Sequence, residues 1–182
     1  MTGVVDDIEV RLLDSSVSGD SSLIETIVGI MNRAYATAEK ALWNREVGRT
    51  TSEEAAGWVA AGRVAVAELG GRIVGAVCIE MRDQATGWFG ALSVDPDQQG
   101  RGIASALLSF TEQHLRSTGA TEIEIEVLVP VDPEPHSSRL LAWYGSVGYV
   151  ETHRRRLADF DARAVEDALL DIDVAVLRKQ LA

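Results

Sequence analysis

Apolar and polar residues alternate from Asp7 to Leu13, with Ile8, Val10 and Leu12 set against Glu9 and Arg11, the two-residue period of a strand. A Ser/Gly/Asp turn follows from Ser15 to Ser22. Ser22-x-x-Glu25 then reads as a capping box, and Leu23, Ile27, Ile30, Met31 and Ala34 share one face of a helix that runs to about Ala38. Glu39 to Thr50, with Trp43, Asn44, Arg45 and Arg49, has no clear period and reads as a loop or broken helix. Thr51-x-x-Glu54 is a second capping box. It opens a short helix through Trp58 and Val59 that Gly62 stops. Strands Arg63–Leu69 and Ile73–Met81 flank a Gly70-Gly71 hairpin turn, and after polar Arg82–Thr86 comes the strand Gly87–Val94.

A polar turn at Asp95–Gln99 and a glycine-spaced segment at Gly100–Ala104 lead into an amphipathic helix carrying Ile103, Ala106, Leu107, Phe110 and His114. Gly119 ends it. Thr121–Val129 is a β-branched strand with Glu122, Glu124 and Glu126 on one face and Ile123, Ile125 and Val127 on the other. Pro130 to Pro135 holds three prolines and breaks regular structure. Ser137 or Ser138 can cap a helix from Arg139 to Val147. Gly148 stops that helix and Tyr149 starts another strand. Ala158–Asp171 is acidic and partly helical, and Val174–Leu177 is a last short strand. No repeat or linker divides the chain. The expectation is one α/β domain over residues 1–182, a mixed, mostly antiparallel sheet of about seven strands with about four helices. Strands Gly87–Val94 and Thr121–Val129, joined by a helix crossover, would be its parallel pair.

Composition narrows the function. A chain of 182 residues with 46% hydrophobic content can bury a sizeable core. The net charge of −11 argues against nucleic acid and anionic membranes as partners. A single cysteine, Cys78, excludes an internal disulfide and fits a reducing compartment. The N-terminal MTGVVDDIEV lacks a basic segment followed by an apolar one, and no run is long and apolar enough to span a bilayer, so a cytoplasmic location is expected. His114, His136 and His153 lack ligand spacing, and no metal is expected.

The candidate chemistry lies in Ala91–Phe110, ordered strand, turn, glycine loop, helix. A helix start offers unpaired N–H groups and a positive dipole end, and glycines let a ligand reach them, which suits a phosphate or pyrophosphate. The loop lacks the Gly-Lys-Ser/Thr of a Walker A site, and Ser105 occupies the sixth position of a would-be dinucleotide fingerprint. Gln99-Gly100-Arg101-Gly102-Ile103-Ala104, after Val94-Asp95-Pro96 and before Ala106-Leu107-Leu108, resembles the pyrophosphate loop of the GNAT superfamily of N-acetyltransferases. A second segment, Ser137 to Tyr144 followed by Gly145-Ser146-Val147-Gly148-Tyr149, resembles the family's later helix in its tyrosine, glycine and closing aromatic. It departs from the family in Ser137, where asparagine is usual, and in Gly145, which costs a helix about 1 kcal/mol.

The resemblance implies acetyl-CoA as cosubstrate, its pantetheine lying where the two central strands splay apart. Backbone groups of Leu92, Ser93 and Val94 would bind the pantetheine and polarise the thioester carbonyl. The N–H groups of Gln99, Gly100, Arg101, Gly102, Ile103 and Ala104 would hold the pyrophosphate, and Ser137 would take the family's side-chain contact to CoA. Tyr144 would protonate the leaving sulfur. Gly87–Val94 has no carboxylate, so the base is open among Glu80, Glu124, Glu126 and a water relay. The acceptor is expected to be a small-molecule or peptide amine. Its pocket would draw on Glu39–Thr50 and on Ala158–Asp171, whose Asp159, Asp161, Glu166, Asp167 and Asp171 would favour a cationic acceptor. Trp88 and Phe89 would line it, and Cys78 is expected in the core. A homodimer is compatible with the family. The rivals are a non-catalytic acyl-CoA sensor and an enzyme using another acyl group or a hydroxyl acceptor.

Overall fold

The computed structural model describes residues 8–44, 48–132, 134–161 and 164–181. The expected places of Asp7, Arg45 and Pro133 lie outside the described residues.

One mixed sheet organises the molecule. Its strands are β1 (Ile8–Leu12), β2 (Val64–Leu69), β3 (Arg72–Met81), β4 (Thr86–Val94), β5 (Glu122–Pro130), β6 (Val150–Arg156) and β7 (Ile172–Gln180). They lie in the order β1-β2-β3-β4-β5-β7-β6. Every neighbouring pair is antiparallel except β4 and β5. That parallel pair brackets the helix crossover, as its sequence spacing requires. β7 spans nine residues rather than the short Val174–Leu177, because it is paired on both sides, to β5 and to β6.

The helices are α1 (Ser21–Ala38), α2 (Ser52–Ala60), α3 (Ile103–Ser117), α4 (Pro135–Ser146) and the single turn α5 (Leu157–Phe160). Asp20, rather than Ser22, caps α1, its carboxylate accepting from the N–H groups of Ser22 and Leu23. Thr51 and Glu54 form the expected capping box on α2. Glu134 caps α4 about one turn earlier than Arg139 would suggest, with Pro135 in the first turn. There proline starts a helix instead of breaking one, because the first turn has no use for its missing N–H.

The two faces of the sheet bury separate cores. On one, Leu107 and Leu115 of α3 and Tyr144 of α4 pack with Ile123, Ile125, Phe89 and Val77. On the other, Ile27 and Met31 of α1 and Val59 of α2 pack with Val66, Ala76, Cys78 and Ala91. A third, smaller cluster joins Leu42 to Leu157, Ile172 and Val174, so the segments after α1 and after β6 meet over the end of the sheet. Among the described residues no helix is long and apolar enough to cross a membrane.

Candidate active site

The strands β4 and β5 part company soon after they meet. Their pairing covers Thr86↔Glu122, Gly87↔Ile123 and Trp88↔Glu124 and no more, although β4 continues to Val94 and β5 to Pro130. The cause lies in β4. Its register against β3 shifts by one residue between Gly90 and Ser93, and Ala91 takes a left-handed φ of 51°. A bulge of this kind bends its strand. Past Trp88, the β5-facing edge of β4 therefore has no strand partner. Leu92, Ser93 and Val94 lie on that stretch. Buried Ser93 turns its hydroxyl back onto the carbonyl oxygen of Ala91 at 2.8 Å, which helps hold the bulge.

The glycine loop sits at the end of this strand. Asp95 ties it down three ways: its N–H donates to Val74 O at 2.9 Å, its Oδ1 accepts from Asp97 N, and its Oδ2 takes Arg33 Nη2 of α1 at 2.8 Å. Gly100 and Gly102 have φ of 78° and 82°, which side-chain-bearing residues adopt at a cost. A Cβ at either position would meet nothing within 4 Å, so open space lies above the loop. Gly102 is the N-cap of α3 and gives it no side-chain hydrogen bond. The first N–H groups of a 15-residue helix thus face that space uncapped. Residues and geometry fit a phosphate-bearing ligand. Exposed Arg101 has no ion-pair partner among the described residues.

Tyr144 is buried beside the parting strands, with its ring 6.2 Å from Phe89, 4.8 Å from Trp143 and 5.5 Å from Tyr149. Its hydroxyl makes no hydrogen bond to the described residues. Burial pushes the phenol far above its ordinary range, and Tyr35 of α1 adds a smaller push. Tyr144 is therefore neutral at physiological pH. Ser137 is buried, but its hydroxyl and N–H are both committed to Glu134, at 3.1 and 2.9 Å.

The carboxylates of β5 are engaged. Arg82 contacts Glu124 at 2.8 Å and Glu126 at 2.8 Å, Arg178 contacts Glu124 at 2.6 Å, and Arg155 contacts Glu126 at 3.0 Å. Glu126 also takes the Trp88 indole N–H at 2.6 Å. This face of β5 is an arginine–glutamate lattice rather than a solvated acidic surface, and Glu124 and Glu126 are placed as structural partners. Glu80 pairs with Arg63 at 2.6 Å and lines a cavity whose wall does not include Glu124 or Glu126.

That cavity, about 340 Å³, is lined by Arg49, Trp58, Arg63, Cys78, Glu80, Trp88 and Ala91. Trp88 lines this cavity, whereas Phe89 points to the opposite face and packs on Tyr144 and Tyr149. Cys78 forms part of the wall, its thiol pushed up to about 11 by burial and by Glu80, so it is not a thiolate. The acids of residues 158–171 do not line this cavity; Asp171 lines a separate, mostly apolar groove with Val165, Leu169 and Leu170. Arg49 lies in Glu39–Thr50, one of the two segments expected to supply pocket residues, and Trp58 in the short helix after it; Tyr35 carried no sequence signal, its meaning depending on distant neighbours. Among the described residues no group of His, Cys, Asp or Glu is arranged to hold a metal ion.

The acetyltransferase (GNAT) family model matches residues 29–153, well over half of the chain. This chain belongs to the GNAT family. The match takes in the bulged β4, the glycine loop, α3, β5 and the Tyr144 helix. Solved structures share the fold of this GNAT chain. yncA from Salmonella typhimurium, solved with its cofactor acetyl-CoA, is 17% identical, with 97% of this chain and 95% of that one covered at a TM-score of 0.67. The ribosomal-protein-S18-alanine N-acetyltransferase from Escherichia coli is 15% identical, with 97% and 95% covered at 0.66. The N-acetylglutamate synthase from Neisseria gonorrhoeae, complexed with coenzyme A and N-acetyl-glutamate, is 16% identical at 0.64; 97% of this chain matches 35% of that larger one. A comparison with curated proteins finds no match.

Proposed function

We propose that this GNAT protein transfers an acetyl group from acetyl-CoA directly to a primary amine, with no covalent enzyme intermediate. The observation that carries the reading is the juxtaposition of three features. These are the unpaired edge of β4, the uncapped start of α3 behind Gly100 and Gly102, and the buried, protonated Tyr144 beside the gap.

Acetyl-CoA, when bound, supplies the activated acyl group. The protein's residues do the rest. The N–H groups from Gln99 to Ala104 hold the pyrophosphate, with Arg101 adding charge. Backbone groups of Leu92, Ser93 and Val94 orient the thioester, and a fixed N–H aimed at its carbonyl oxygen favours the charge that develops there. The acceptor enters from the Trp58–Trp88 cavity, whose wall at Ala91 adjoins these residues. Its nitrogen bonds to the carbonyl carbon as the C–S bond breaks. Tyr144 gives its proton to the departing sulfur, and the amine proton leaves through Glu80 or through water. Ser137 has no free donor, its hydroxyl being held by Glu134, so its contribution is to fix the start of α4.

Thiol release from acetyl-CoA over a panel of primary amines tests the reading. Tyr144→Phe should lower kcat about 10²-fold and leave acetyl-CoA affinity unchanged. Full activity in Tyr144→Phe would remove the tyrosine from the reaction, and a protein that binds acetyl-CoA but acetylates nothing would instead be an acyl-CoA sensor.

A further inference from the structure

The acceptor cavity has an electrostatic asymmetry. Of its two arginines, Arg63 is neutralised by Glu80 at 2.6 Å. Arg49 has no carboxylate partner among the described residues; its guanidinium lies 4.8 Å from the centre of the Tyr35 ring. This is notable in a chain with 28 acidic and 17 basic residues, where anions for pairing are abundant. The arginine is also held in place. Asn32 of α1 clamps the next residue from both sides, its Nδ2 donating to Thr50 O at 3.1 Å and its Oδ1 accepting from Thr50 N at 3.0 Å. Thr50 is buried and its hydroxyl donates to Glu54 Oε2 at 3.3 Å, so the α2 capping box anchors the same segment. The Tyr35 ring beneath the guanidinium is close enough to Tyr144 to raise the latter's phenol, which links this end of the cavity to the reaction centre.

We infer that the acceptor is a small amine bearing a carboxylate, of free amino-acid size, with an apolar or aromatic side chain. The inference deepens the acetyltransferase reading and rests on it. Arg49 pairs the carboxylate through its planar fork of donors. Trp58 and Trp88 form apolar walls for the side chain, and Trp88 is fixed there by its hydrogen bond to Glu126 and by Arg82, 5.2 Å from its ring. The volume of about 340 Å³ lies at the small end of ligand sites and suits a single amino acid. The amine is left for the Ala91 side, next to Leu92–Val94.

The test uses the full chain and matched acceptors, L-phenylalanine against 2-phenylethylamine and L-leucine against isoamylamine. kcat/KM for thiol release is read for each, and binding of each to the CoA-saturated protein is read by calorimetry. The carboxylated member should be preferred at least about tenfold in each measurement, the scale of one charge-assisted hydrogen-bonded pair. Arg49→Gln should collapse that ratio toward one, and Arg49→Lys should keep part of it. Acetyl-CoA affinity should be retained in both, with folding checked by circular dichroism. Equal or better use of the carboxylate-free amines overturns the inference and leaves the acetyltransferase reading standing. So does an Arg49→Gln protein that keeps the preference, or one that loses acetyl-CoA affinity instead. Absence of acetyl-CoA binding altogether overturns both.

Discussion

On the proposed function, Gly102 is one position that would serve fold and function together. Its φ of 82° ends the loop, and its lack of a side chain leaves the start of α3 open. Gly102→Val therefore adds two effects. A β-branched residue in the left-handed region costs about 1–2 kcal/mol of stability, and its methyl groups fill the space where the pyrophosphate would lie. Acetyl-CoA Kd should rise at least about tenfold in a protein that still folds, as titration would show; an unchanged Kd would refute the phosphate assignment. Single residues also mark the limit of sequence reading. Gly100, Gly102 and Tyr144 were legible because a motif surrounds each of them. Arg49 was legible only as part of the segment Glu39–Thr50, because its setting beside Asn32 and Tyr35, with no carboxylate partner among the described residues, comes from tertiary packing. The engagement of Ser137 was illegible for a similar reason, since only the structure shows Glu134 reaching it.

Among the elements, β4 and β5 carry the most information. The alternation of Glu122, Glu124 and Glu126 with Ile123, Ile125 and Val127 set the strand and its two faces correctly. What faces the acids could not be read from it, because Arg82, Arg155 and Arg178 come from other strands or their turns. The lattice predicts a stability effect. Glu126 is 6% exposed and binds Arg82, Arg155 and the Trp88 indole. Glu126→Gln should cost about 2 kcal/mol in urea unfolding, below the usual figure for a fully buried pair because the arginines are partly solvated. A loss under about 0.5 kcal/mol would mean that the arginines rehydrate freely. The bulge in β4 had no distinct sequence signature, since Gly90-Ala91 alternates like any strand. Its consequence, the early end of β4–β5 pairing, is what makes the gap. Helix starts were legible where a reciprocal box exists, as at Thr51 and Glu54. They shifted at Asp20 and Glu134, where a nearby carboxylate captures two N–H groups at once.

For the whole molecule, the order of elements set the mixed sheet and its parallel pair. Placement of β7 between β5 and β6 was not legible, because it depends on where a late loop carries the chain. The layout has two faces with different features. On the proposed function the α3–α4 face would hold the cofactor through the glycine loop, beside Tyr144, and the α1–α2 face would take the acceptor in the Trp58–Trp88 cavity, the two meeting where β4 leaves β5. Calorimetric titration of the purified protein with acetyl-CoA, with CoA and ATP alongside, tests that layout most directly. The account predicts one saturable site for acetyl-CoA and for CoA and far weaker binding of ATP. Failure of both acetyl-CoA and CoA to bind the folded protein would contradict it, leaving the glycine loop as a turn and the gap between β4 and β5 without a ligand.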